Sequence, residues 1–230
     1  MKHLFNQFII KILPYLPFSA VRLVAGRYVA GEKAEDALNV VKSLNQRGFS
    51  ATVDILGEHT NDESTAGEIT REYQKLLSNI HDQNLNCNIS IKPSHIGMDI
   101  SADCISKNMN HLLETAKDNS QFIRIDMEDS TMTNATLDLY NKCKAQNGKV
   151  GTVLQAYLFR SIKDLRELQI LKEINLRICK GIYRESADIA IQGRRDINNN
   201  FLKLLQFAFE NNIYVGIATH DLLLIKESYK

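Results

Sequence analysis

Six times along this chain an apolar, β-like run ends in polar or charged residues and gives way to a helix-like stretch. The runs are 50–54 into Gly57, Glu58 and His59; 88–91 into Lys92, Pro93, Ser94 and His95; and 122–125 into Asp126, Met127, Glu128 and Asp129. Three more follow: 151–154 into Gln155, Ala156 and Tyr157; 176–179 into Lys180, Gly181, Ile182 and Tyr183; and 214–218 into Thr219, His220 and Asp221. Parallel strands joined by helices place all their C-terminal ends at one edge of the sheet. Active sites of such folds sit at that edge. The pattern locates the chemistry before any motif is read.

Helical periodicity fills the gaps. One pattern runs from about 32 to 46, with Ala34, Ala37, Leu38, Val41 and Leu44 on one face and Gly48 as a stop signal. Others cover about 62–83, 101–117, 134–146, 162–173 and 196–210. Successive strand starts lie 25–38 residues apart, the length of a βα unit, without solenoid repetition. Strand composition then separates two architectures. Central strands of an open, doubly wound sheet read as continuous apolar runs. Here Arg124, Asp126 and Glu128 alternate with Ile123, Ile125 and Met127, and Arg177, Cys179, Gly181 and Tyr183 share a face. One polar face per strand suits a barrel with a functional inner wall. The expected fold is α/β, a (β/α)₈ TIM-barrel variant that is incomplete here. It comprises about six βα units (50–230) preceded by an N-terminal helical segment (1–49).

With a formal charge of +1 and mixed signs throughout, the chain lacks the electrostatic footprint of a nucleic-acid binder, and no such partner is expected. Cys87, Cys104, Cys143 and Cys179 show no CxxC spacing and read as reduced thiols of a cytosol-like compartment. Phe5, Phe8, Ile9, Ile12, Leu13 and Leu16 fall at helical spacing near Lys2 and Lys11. They fit a helix packed on the domain or one lying in a membrane interface, but neither a signal peptide nor a span. Residues 26–33 loosely match a P-loop, but Glu32 stands where its Lys belongs, so they read as a helix-connecting turn. No GxGxxG follows the first strand. His59, His95 and His220 could meet at the mouth, but no ligand spacing demands a metal and none is expected.

Asp126, Met127, Glu128 and Asp129 form the densest charge cluster. Asp129 suits a cap on the next helix. Asp126 faces the supposed interior, where a carboxylate requires a partner, and Lys92, Arg124, Arg177 and Lys180 are available. An arginine in an apolar strand is costly unless it meets an acid or an anionic ligand. Arg177 therefore either pairs internally with Asp126 or faces a ligand that gains negative charge. At an effective dielectric of about 20, a pair about 4 Å apart is worth about 4 kcal/mol.

These residues, in this order, resemble the proline dehydrogenase family of flavoenzymes. The likeness rests on residues 52–58 (TVDILGE), 90–94 (SIKPS), 122–130 (FIRIDMEDS), 155–160 (QAYLFR), 176–183 (LRICKGIY) and 218–221 (ATHD), with 28–32 (YVAGE) similar to the short, monofunctional branch. The resemblance implies a variant barrel holding FAD at the strand C-terminal edge. It also implies oxidation of L-proline to 1-pyrroline-5-carboxylate, the first step of proline catabolism, with electrons passed to a membrane quinone. A cytoplasmic protein with peripheral contact at the inner membrane face is implied too. Carried over, Arg177 sits at flavin N5, Gln155 bonds the isoalloxazine edge and Met127 lines its pocket. Lys180, Gly181 and Ile182 follow the cofactor, and Thr219 and His220 hold its distal part. Lys92 and Asp126 face the substrate, Tyr183 packs on the proline ring and Asp54 joins the same polar network. Asp126 need not abstract a proton, since neighbouring cations discourage a substrate ammonium.

Family members continue with two more strands and a helix bearing an arginine pair that grips the proline carboxylate. No such pair stands in for it here. The expectation is a shortened proline dehydrogenase with weak or no turnover on its own, or else a non-catalytic remnant or one half of a split enzyme completed by a second chain. A different barrel enzyme acting on a small anion is the third reading.

Overall fold

The computed structural model describes residues 29–146, 148–171 and 173–229. All six expected strands form: β1 (Ala51–Val53), β2 (Cys87–Ile91), β3 (Ile123–Ile125), β4 (Val150–Gln155), β5 (Asn175–Cys179) and β6 (Tyr214–Ile217). They lie side by side in chain order, and neighbouring strands from β2 to β6 pair in parallel. The sheet curls into a half-barrel, the incomplete (β/α)₈ form anticipated above. β1 and β6 each have one sheet neighbour among the described residues. Tyr214, Leu222 and Leu223, on or just after β6, remain well exposed.

Contacts divide the chain into two units, 1–51 and 52–230. In the first, α1 (Ala34–Gln46) starts with Glu35 and Asp36 in its first turn, where acids suit the helix dipole. Its buried positions are Leu38 and Val41. Gly48 takes φ +83° and lets the chain leave the helix. Expectations for the first 28 residues lie outside the described ones.

In the second unit the helices are α2 (Glu63–Asp82), α3 (Ala102–Asp118), α4 (Thr133–Ala145), α5 (Ser161–Leu168), α6 (Arg194–Glu210) and α7 (Leu222–Glu227). Asp62 and Ser101 cap α2 and α3 by accepting from the Thr65 and Cys104 backbone N–H groups. A 3₁₀ turn (Pro93–Ile96), not expected from periodicity, follows β2. α5 stops at Leu168, short of the expected 173. Leu165 and Leu168 are its last buried positions, and Ile170 is 84% exposed, so no apolar face holds the next turn.

Register explains the alternation. Ser90, Arg124, Gly151, Asn175 and Tyr214 form one cross-sheet row; Val153, Arg177 and Gly216 lie in the next. The other face carries Ile89, Ile91, Ile123, Ile125, Leu154, Leu176 and Ile178, each at most 2% exposed. The apolar face meets helices such as α6, whose Phe201, Leu204, Leu205 and Ala208 are buried. The polar face is the inner wall.

Candidate active site

Asp126 stands one residue beyond β3, where its backbone N–H donates to Ile91 O at 2.9 Å and so extends the ladder. Arg177 Nη1 donates to Asp126 Oδ1 at 2.9 Å, and to Ser90 Oγ at 3.4 Å. Burial pushes the Asp126 carboxyl up, with Arg177 the main opposing influence. Gly216, next to Arg177 in the row, adds no side chain on that face. Of the four cations available by sequence, Arg177 is the one that pairs with Asp126. Arg124 runs instead toward the strand N-termini, donating to the backbone carbonyls of Thr152 and Asn175 at 2.9 Å each. Burial, then Arg177, pulls its guanidinium down to about 10.

Nearer the rim, Lys92 Nζ pairs with Asp54 Oδ2 at 3.2 Å. Tyr73 of α2 holds the segment after β1: its hydroxyl accepts from Ile55 N at 3.2 Å. Gln155, 2% exposed, donates through Nε2 to Glu128 O at 2.7 Å, which ties the ends of β3 and β4 together. Met127 beside it is 7% exposed. Tyr183 donates its hydroxyl to Glu58 Oε1 at 2.9 Å, linking the segments after β5 and β1. Burial, followed by Glu58, pushes that phenol up.

Lys180 Nζ pairs with Asp221 Oδ2 at 2.6 Å, and Arg194 and Asn198 donate to the same oxygen at 3.0 and 3.2 Å. These donors, Lys180 first, hold Asp221 far below the usual carboxylate range. Thr219 Oγ1 accepts from Asp221 N at 3.0 Å, and His220 is exposed. Gly181 adopts φ +104°, and a Cβ there would stand 2.2 Å from the Tyr157 ring, so only glycine fits. Ile182 is 88% exposed.

The strand ends thus bring Asp54, Lys92, Asp126, Gln155 and Arg177 to one wall, while Lys180, Thr219 and His220 lie about the β6 end. Sequence reasoning missed the groups that knit the loops. Ser130 donates through N and Oγ to Glu185 at 2.7 and 2.6 Å, and Ser94 donates through N to Glu128 Oε2 at 2.8 Å. Such links depend on loop paths that no periodicity encodes. A separate concavity of about 600 Å³, lined in part by Lys117, Gln121 and Lys149, opens at the opposite edge, away from these groups.

A parallel half-barrel with a charge pair and further polar groups at its C-terminal edge defines an α/β-barrel enzyme scaffold. The family follows from comparison: a model described as proline dehydrogenase matches residues 37–228, and the chain belongs to that family. Proline dehydrogenase 1 of Bacillus subtilis strain 168 is 38% identical over 200 residues, 87% of this chain and 66% of that protein. Proline dehydrogenase of Deinococcus radiodurans is 32% identical over 209 residues, 89% of this chain and 67% of its own length. The chain thus spans about two thirds of the length of these relatives. Among solved structures, proline utilization A from Bdellovibrio bacteriovorus, inactivated by N-propargylglycine, superposes with a TM-score of 0.81 at 20% identity. That match covers 89% of this chain and 26% of the other. Proline utilization A from Corynebacterium freiburgense gives 0.79 at 20% identity, covering 99% and 27%.

Proposed function

We propose that the protein oxidises L-proline to 1-pyrroline-5-carboxylate with FAD at this edge and a quinone as final electron acceptor. The observation that carries the reading is Arg177, fixed by Asp126 and Ser90 on the inner wall. The donor set suits such a cofactor. Asn198 Oδ1, beside Asp221, is buried and has no partner among the described residues, as a ligand hydroxyl would require. Lys180 and Arg194 bring two cations to one carboxylate, leaving positive charge for a phosphate-bearing ligand.

Bound there, FAD supplies the two-electron acceptor for the ring C–N oxidation. Arg177 favours negative charge developing beside it, because a preorganised guanidinium needs no reorientation during reaction. Gln155 and Met127 would line the flavin ring edge. Lys180, Gly181 and Ile182 would hold the cofactor along the end of β5, with Thr219 and His220 toward its distal part. Lys92 meets the proline carboxylate, and Asp54 sets its direction. Asp126 positions Arg177, and Tyr183 packs on the substrate ring. Residues 50–230 act as the barrel, with peripheral membrane contact through the quinone.

The test is anaerobic addition of L-proline to the FAD-loaded protein. Loss of the visible flavin band is expected, and N-propargylglycine should cause time-dependent, covalent loss of the same band. A stable bound flavin indifferent to both compounds would overturn the reading.

A further inference from the structure

Glu58 and His59, after β1, meet Glu128, after β3. Each offers one ligand atom, and these atoms all lie within 4.8 Å of one another. Each group is held by a partner outside the trio. His59 Nδ1 lies 2.7 Å from Asp99 Oδ2. Glu128 accepts from Ser94 N at 2.8 Å and also from Ser94 Oγ. Glu58 Oε1 accepts from the Tyr183 hydroxyl at 2.9 Å. A histidine oriented by a carboxylate, and carboxylates oriented by hydrogen bonds, are how proteins set metal ligands.

Charge makes the same case. Glu128 is 1% exposed. Among the described residues neither Glu58 nor Glu128 pairs with a lysine or arginine. Among the described residues these two carboxylates, one of them buried, face one imidazole and no lysine or arginine. Each carboxylate keeps unused lone pairs after the bonds above.

We propose that Glu58, His59 and Glu128 form a divalent transition-metal site of the zinc class. One imidazole nitrogen and two carboxylate oxygens suit Zn²⁺ or Mn²⁺ better than the all-oxygen shell of Mg²⁺. The bound ion ties the segment after β1 to the segment after β3. It also shares Glu58 with Tyr183, so occupancy bears on the Tyr183 hydroxyl.

The experiment titrates ZnCl₂ into chelator-stripped protein by calorimetry, without FAD or proline, so its outcome is independent of the flavin reading. One equivalent is expected to bind in the micromolar range or tighter, with no comparable uptake of Mg²⁺. Asp99→Asn should weaken it about 10- to 100-fold. His59→Ala should remove it. Glu58→Gln, at an exposed position, should weaken it at least tenfold with an unchanged circular dichroism spectrum. No binding overturns the proposal, as does stoichiometric binding that survives both His59→Ala and Glu58→Gln.

Discussion

Replacing Arg177 with methionine isolates what its guanidinium does for Asp126. At 2.9 Å and an effective dielectric of about 20, the gross attraction is about 6 kcal/mol. Both side chains are largely buried, 24% and 21% exposed, so desolvation cancels much of that gain. The net cost of leaving Asp126 alone is expected to be about 2–4 kcal/mol near neutral pH. The cost should depend on pH with a defined sign. Burial already raises the folded carboxyl, and losing Arg177 removes its main opposing influence. A folded pKa above the unfolded one stabilises the protein fully only below the unfolded value, and that stability is lost as pH rises through the folded pKa. The penalty of Arg177→Met is therefore largest at neutral pH and smaller in acid. Urea denaturation of wild type and variant at both pH values measures this. A double-mutant cycle with Asp126→Asn should return a coupling of about 1.5–3 kcal/mol. A penalty that ignores pH, together with a coupling under about 0.5 kcal/mol, would show that Arg177 does not hold the Asp126 charge.

Gly181→Ala forces a Cβ into the Tyr157 ring at positive φ and should cost about 1–3 kcal/mol in urea melts; a neutral change would mean the loop is slack. The hydrogen bond to Asp99 raises the pKa of His59, so its stabilising charge is present below the ordinary histidine value and fades as pH rises through the folded one. Asp99→Asn should lower the His59 titration midpoint by NMR, and an unmoved midpoint would remove Asp99 as the cause. Lys92→Met should raise the proline KM at least tenfold with a smaller change in kcat, as expected for a group that binds the carboxylate throughout; a fall in kcat alone would assign Lys92 another role.

Much of this was legible in the chain because strand alternation and helix spacing report burial directly. Ile123 and Ile125 against Arg124 and Asp126 show an inner and an outer face, and the register places them so. The caps at Asp62 and Ser101 are local chemistry, and the helix limits there fall within a residue of expectation. Arg124 was harder. Its face was readable, but its target, the start of β5, depends on the curl of the sheet. The meeting of Glu58 with Tyr183, 125 residues apart, and of His59 with Glu128 depends on loop geometry. Adjacent polar residues at strand ends pointed to the right edge without saying which of them touch.

The most direct measurement is FAD uptake by the purified chain, followed through its visible absorption and repeated on Arg177→Met. One equivalent of flavin is expected in the wild type, with affinity at least tenfold weaker in the variant. A protein that stays colourless in excess FAD, or binds it equally well without the guanidinium, would contradict a flavin site on this wall.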